Sequence, residues 1–126
     1  MINKSMGSIW RKWDLHVHTK GTFKNDQFSS ATFEEFCNCF FKKALQHNIE
    51  VIGITDYFNI VNYNSVISYI NTLNDNVFFN DEEKEKIENI YLLPNVELRV
   101  LPVTDRGKLV NFHCLLNPDL IEYFEN

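Results

Sequence analysis

Residues Glu50 to Thr55, EVIGIT, form a short and nearly continuous apolar run. A strand with one wet face alternates apolar and polar side chains, so a run without alternation needs cover on both faces. The segment therefore belongs inside a sheet flanked by helices, and the flanking sequence supplies them. Upstream, Thr32-Phe33-Glu34-Glu35 fits a capping box that opens a helix. From there to about His47, Phe33, Phe36, Cys37, Phe40, Phe41, Ala44 and Leu45 recur at helical spacing and mark one amphipathic face. Downstream, Tyr63, Val66, Ile67, Ile70 and Leu73 repeat the pattern.

The remaining segments complete an alternation of strands and helices. Residues 1–9 read as a loose lead-in, Trp10 to Val17 as a first strand, and Gly21 to Ser30 as a polar loop. Asp81 to Lys86 reads as a solvated short helix. Ile90 to Val103 holds one or two strands around Pro94, Asp105 to Lys108 is a turn, and Leu109 to Leu116 is another strand. Pro118 starts a final helix that runs to about Phe124. Strand, helix, strand, helix, strand is the α/β pattern, in which chemistry gathers at the C-terminal ends of parallel strands. The 126 residues suffice for one domain with one core, and eleven phenylalanines can fill it.

Asp14-Leu15-His16-Val17-His18-Thr19 carries the chemistry. On a regular strand Asp14, His16 and His18 point one way and Leu15 and Val17 the other. Two imidazoles at i and i+2, backed by a carboxylate, can grip one metal ion from one side. Three polar groups on one face of a buried strand otherwise each need a partner. Imidazole with carboxylate suits zinc, manganese and iron alike.

Other candidates carry two readings each. Glu97, in Asn95-Val96-Glu97-Leu98-Arg99, is either a carboxylate that bridges cations or a strand residue paired with Arg99. His113 is either a ligand or a core histidine. Asp56, at the end of the EVIGIT strand, is a ligand, an orienting group or a helix cap. Asp14 and Asp56 are the candidate catalytic carboxylates. Arg99 could clamp a phosphate bidentately or form a salt bridge. Lys20 and Lys24 are either phosphate contacts or solvated loop lysines. His47 ends its helix, where a cation suits the dipole.

The net charge of −5 removes the basic footprint of a general nucleic-acid binder, but not a nucleic acid held locally through metal ions. Three cysteines, Cys37, Cys39 and Cys114, make no disulfide framework and no CxxC pair, which fits a reducing cytoplasm. No segment approaches the roughly 20 apolar residues of a membrane span, so no membrane partner is expected.

Taken in order, these motifs resemble the polymerase and histidinol phosphatase (PHP) family. Its HxH motif matches His16-Val17-His18, its TDH motif matches Thr55-Asp56, its strand glutamate matches Glu97, and its later histidine matches His113. The string from Gly7 to Asp14, with GITDYF and NVELRV, is similar to the PHP domain that opens TrlF-like proteins, which join it to an AAA-type ATPase and are associated with tRNA cleavage or phage defence.

The resemblance implies a distorted β/α barrel, of which residues 1–126 would be a single PHP-like domain with an incomplete barrel, the N-terminal portion of a longer protein or a truncated relative. It implies one or two divalent metals here: His16 and His18 on one, Glu97 bridging, His113 on the second. Tyr57 stands where the family has the histidine of TDH, and no histidine lies between His18 and Ser30, so a third metal is not expected. The implied function is a metal-dependent phosphoesterase, a nuclease acting on tRNA or DNA, with no side-chain nucleophile and with Arg99 and Lys20 meeting phosphate. An ATPase, attached or separate, is the implied partner; the chain has no GxxxxGK[ST] of its own. The alternative is a non-catalytic PHP-like binding or regulatory module that has lost part of its metal site. An incomplete barrel would also leave sheet edges open to a second copy.

Overall fold

The computed structural model describes residues 9–22 and 26–123. Lys24 and Phe124 lie outside the described residues, as do residues 1–8. Among those described, the order is β1 (Trp13–His18), α1 (Phe33–Gln46), β2 (Val51–Tyr57), α2 (Val61–Asn71), α3 (Asp81–Glu88), β3 (Tyr91–Val100) and β4 (Val110–Leu115), followed by a 3-10 segment at Pro118–Tyr123. The four strands make one sheet in sequential order, curled like half a barrel. β1, β2 and β3 run parallel, and β4 returns antiparallel to β3.

This corrects the expected fold. A PHP-type distorted β/α barrel is not what the described residues form: the sheet is open, with β1 and β4 at its edges, and is mixed rather than all-parallel. The reason lies in the connection after β3. Residues 101–109 hold no helix, and a parallel return needs a long crossover. A turn at Thr104–Lys108, closed by Gly107 N–H donating to Thr104 O and passing through Gly107 at φ 72°, sends β4 back antiparallel.

α1 forms as its sequence dictates. The Thr32 hydroxyl accepts from Glu35 N–H and the Glu35 carboxylate accepts from the Thr32 amide. Its buried stripe, Phe36, Cys37, Phe41 and Ala44, packs with Val66, Tyr69 and Leu73 against Ile52, Ile54 and Leu92. Ile87 of α3, fully buried, joins the same core, so that helix is anchored as well as solvated. Each such apolar side chain contributes about 1.5–3 kcal/mol.

All three helices thus pack on one face of the sheet. β2 is nevertheless buried along its whole length. Its second face is covered by neighbouring strands and polar side chains, not by the second helical layer that its apolar run predicts.

Pro94 sits inside β3, which has neighbours on both sides. Its carbonyl accepts from Leu116 N–H. Its missing N–H faces the same side, just before the β4 ladder starts at Asn95–Leu115, so one ladder bond at most is forgone.

Candidate metal centre

The site lies on the face away from the helices, towards the C-terminal ends of β1, β2 and β3. In parallel register His18 pairs with Thr55, and Tyr57 with Glu97; in antiparallel register Glu97 pairs with His113 and Arg99 with Asn111. Paired residues share a face, so these side chains converge.

β1 is not a regular strand. Its register with β2 shifts between Asp14 and Val17: Asp14 opposes Ile52 and Val17 opposes Ile54, so two residues face Gly53 alone. The extra residue breaks the expected alternation. Asp14 shares the helix side with Val17, lining a small pocket with Phe40, Lys43 and His47. It does not join the two histidines as the carboxylate expected on their face. Gly53 permits the bulge, because a Cβ there would overlap the Leu15 carbonyl and Cα. The turned-in Leu15 carbonyl is met by Asn95, whose Nδ2 donates to it at 2.8 Å and to Thr55 Oγ1 at 3.0 Å.

Three donor atoms then form a nearly equilateral triangle. His16 Nε2 lies 3.1 Å from His18 Nε2, and Glu97 Oε2 lies 3.5 Å from the first and 3.3 Å from the second. Tetrahedral zinc with bonds of about 2.0–2.1 Å separates its donors by about 3.3–3.4 Å. The His16, His18 and Glu97 group could therefore hold a metal ion. Glu97 is 2% exposed and its Oε2 has no hydrogen-bond partner. Two ring nitrogens and a carboxylate oxygen meet at one point, where a cation, or protons carried by the imidazoles, would reconcile them.

The surroundings fix the carboxylate. Asn111 Nδ2 donates to Glu97 Oε1 at 2.9 Å, and Arg99 Nε stands 4.0 Å from the same oxygen. The Arg99 guanidinium lies over the Tyr57 ring at 5.3 Å, and that ring stacks on His18 at 5.1 Å. Tyr57 thus supports the histidine by its face and leaves Arg99 half-exposed beside the triangle. His113 packs edge-on against His16, with ring centroids 4.4 Å apart, and its Nδ1 is 3.3 Å from Asn95 Oδ1.

The structure brings together His16, His18 and Glu97, with His113 and Arg99 adjoining. It does not bring in Asp56, whose carboxylate faces α2: Oδ1 accepts from Tyr57 N–H and Oδ2 from Asn62 N–H. Asp56 caps α2 together with Asn59, whose Oδ1 accepts from Val61 N–H, since the N-cap position, Ile60, offers no side-chain acceptor. Lys20 is a loop lysine whose ammonium reaches the Phe28 carbonyl. In that loop, the Gly21 N–H holds the Asp26 carboxyl below its ordinary pKa, helped by Phe28 N–H and Lys20. Asn95, Asn111 and Thr55 belong to the site but not to the sequence-derived candidates. Strand parity could have found the first two, at i−2 from Glu97 and from His113.

A cavity of about 570 Å³ lies at the opposite ends of the strands. Its cations Arg11, Lys42 and Lys86 are paired with Glu50, Glu83 and Glu82. No helix among the described residues is long and apolar enough to cross a membrane. Comparison with protein-family models, with curated proteins and with solved structures yields no match.

Proposed function

We propose that this chain is a divalent-metal-dependent phosphoesterase acting on a nucleic-acid phosphodiester. The observation that carries the reading is the His16–His18–Glu97 triangle, with the buried Glu97 Oε2 lacking any hydrogen-bond donor. The order HxH, TD, Glu, His along the chain supports it, as does the Arg99 guanidinium beside the triangle. Zinc, manganese or iron bound there would supply Lewis acidity towards a phosphoryl oxygen and acidify water.

The chain's own residues would divide the remaining work. His16, His18 and Glu97 hold the cation, and His113 stands beside His16 for a second. Asn111 holds the Glu97 carboxylate in place. Arg99, kept over Tyr57, offers its guanidinium fork to phosphate oxygens. The unpaired cysteines fit a reducing compartment.

Elemental analysis of the purified chain, beside a His16→Ala/His18→Ala double variant, tests the reading. One or two equivalents of transition metal, lost in the variant, with manganese- or zinc-dependent cleavage of a phosphodiester, is the expected result. No metal in either protein overturns it. A second reading, a metal-holding module without catalysis, is favoured by Tyr57, which stacks on His18 instead of offering a ligand. Stoichiometric metal with no cleavage of RNA, DNA or a chromogenic phosphodiester would select it.

A further inference from the structure

Asn95 is 3% exposed and touches three elements of the site. Its amide orientation follows from its partners. A carbonyl oxygen only accepts, so the nitrogen must face Leu15 O, and the same NH2 group serves Thr55 Oγ1 with its second hydrogen. The amide oxygen is then turned towards His113 Nδ1, at 3.3 Å. Two acceptors cannot bond each other, so the contact calls for a proton on His113 Nδ1, which in the neutral ring leaves the lone pair on Nε2.

The first contact has a separate consequence. The Leu15 carbonyl is part of the bulge, which also holds His16, that shifts β1 against β2. A carbonyl at the bulge left without this donor would cost the bulge stability. Asn95 supplies that donor, across β2 from a strand 80 positions away in sequence.

We infer that Asn95 is a positioning residue that locks the β1 bulge carrying His16 and sets the His113 tautomer with its Nε2 lone pair available. Only the bulge half of this rests on the metal reading of His16, His18 and Glu97. The two halves separate by substitution. Asn95→Asp keeps an oxygen for His113 Nδ1–H but offers nothing to Leu15 O. Asn95→Leu, of similar size, removes both of these bonds and the one to Thr55 Oγ1.

The test uses the full chain. Long-range ¹H–¹⁵N correlation of the metal-free, ¹⁵N-labelled protein reads the tautomer, and titration with Zn²⁺ reads the affinity. Wild type should show His113 protonated on Nδ1, Asn95→Asp should keep that signature, and Asn95→Leu should lose it. Both variants should bind Zn²⁺ about 10–100-fold more weakly, the usual effect of removing a group that orients ligands. His113 protonated on Nε2 in wild type overturns the inference, and this measurement needs no variant to fold. Unchanged tautomer and affinity in Asn95→Leu overturns it equally. A wild type that binds no Zn²⁺ yet has Nδ1-protonated His113, with the signature lost in Asn95→Leu, supports the tautomer half and overturns the metal reading alone.

Discussion

Glu97→Gln should make the metal-free chain more stable and the zinc-loaded chain less stable. Glu97 Oε1 accepts from Asn111, whereas buried Oε2 has no hydrogen-bond partner, the two imidazole nitrogens standing 3.3 and 3.5 Å away. Such an orphaned acceptor costs about 1–3 kcal/mol, and more when charged. Glutamine keeps the oxygen for Asn111 and turns an NH2 towards the imidazoles, so the clash becomes a hydrogen bond. Arg99, 4.0 Å from Oε1, loses a distant charge partner, which offsets part of the gain. The net gain is about 1 kcal/mol, or about 4 °C in Tm for a chain of this length. With free zinc at about 100 times Kd, wild type gains about 2.7 kcal/mol. The neutral amide, a poor ligand, forfeits most of that. Thermal unfolding by circular dichroism, in chelator and then in zinc, reads both signs. A variant less stable than wild type in chelator, or one showing the full zinc-induced rise, refutes the reasoning.

Three further outcomes follow from particular contacts. Gly53→Ala drives a methyl into the Leu15 carbonyl and should destabilise the chain by about 3 kcal/mol, from overpacking and the loss of the Asn95 bond; a urea-derived loss under 1 kcal/mol would contradict this. Asp56→Ala removes one cap of α2 and should cost about 1–2 kcal/mol while leaving Zn²⁺ affinity unchanged; a tenfold loss of affinity would return Asp56 to the site. Burial pushes the Cys37 thiol up to about 12, with the Glu34 charge adding to it, so iodoacetamide near neutral pH should label exposed Cys39 in the folded chain and Cys37 only on unfolding. Equal labelling rates for the two in native protein would show that the α1 face is not buried as described.

The elements were legible where local chemistry and burial agree. Every apolar position marked on α1 lies in the core or against it, because a capping box and a helical stripe leave one orientation. The EVIGIT run correctly announced a strand covered on both faces, but composition does not say what covers it. Here a bulged neighbour and buried polar groups take the place of helices on one side. The direction of β4 was hidden for a related reason. Strand pattern is the same for parallel and antiparallel partners, and only the length of residues 101–109 argues for the return. Pro94 marked the strand as suspect, yet its missing donor falls at the end of a ladder.

The site shows the same limit more sharply. Alternation along β1 joined His16 and His18 correctly, since the register shift precedes their last step, but it assigned Asp14 to the wrong face because a single extra residue reverses parity. The bulge was written elsewhere in the chain: in Gly53, where a Cβ would overlap Leu15, and in Asn95, which donates to the Leu15 carbonyl. Neither reads as functional where it stands, one being a small residue in an apolar strand and the other a polar residue after a proline. Their meaning depends on contacts between β1, β2 and β3 that close only in three dimensions. The carboxylate beside the two histidines comes from β3, where Glu97 is buried, instead of from β1, where Asp14 is exposed. Burial is what makes that exchange matter, because a metal bound there would meet a carboxylate that water cannot solvate.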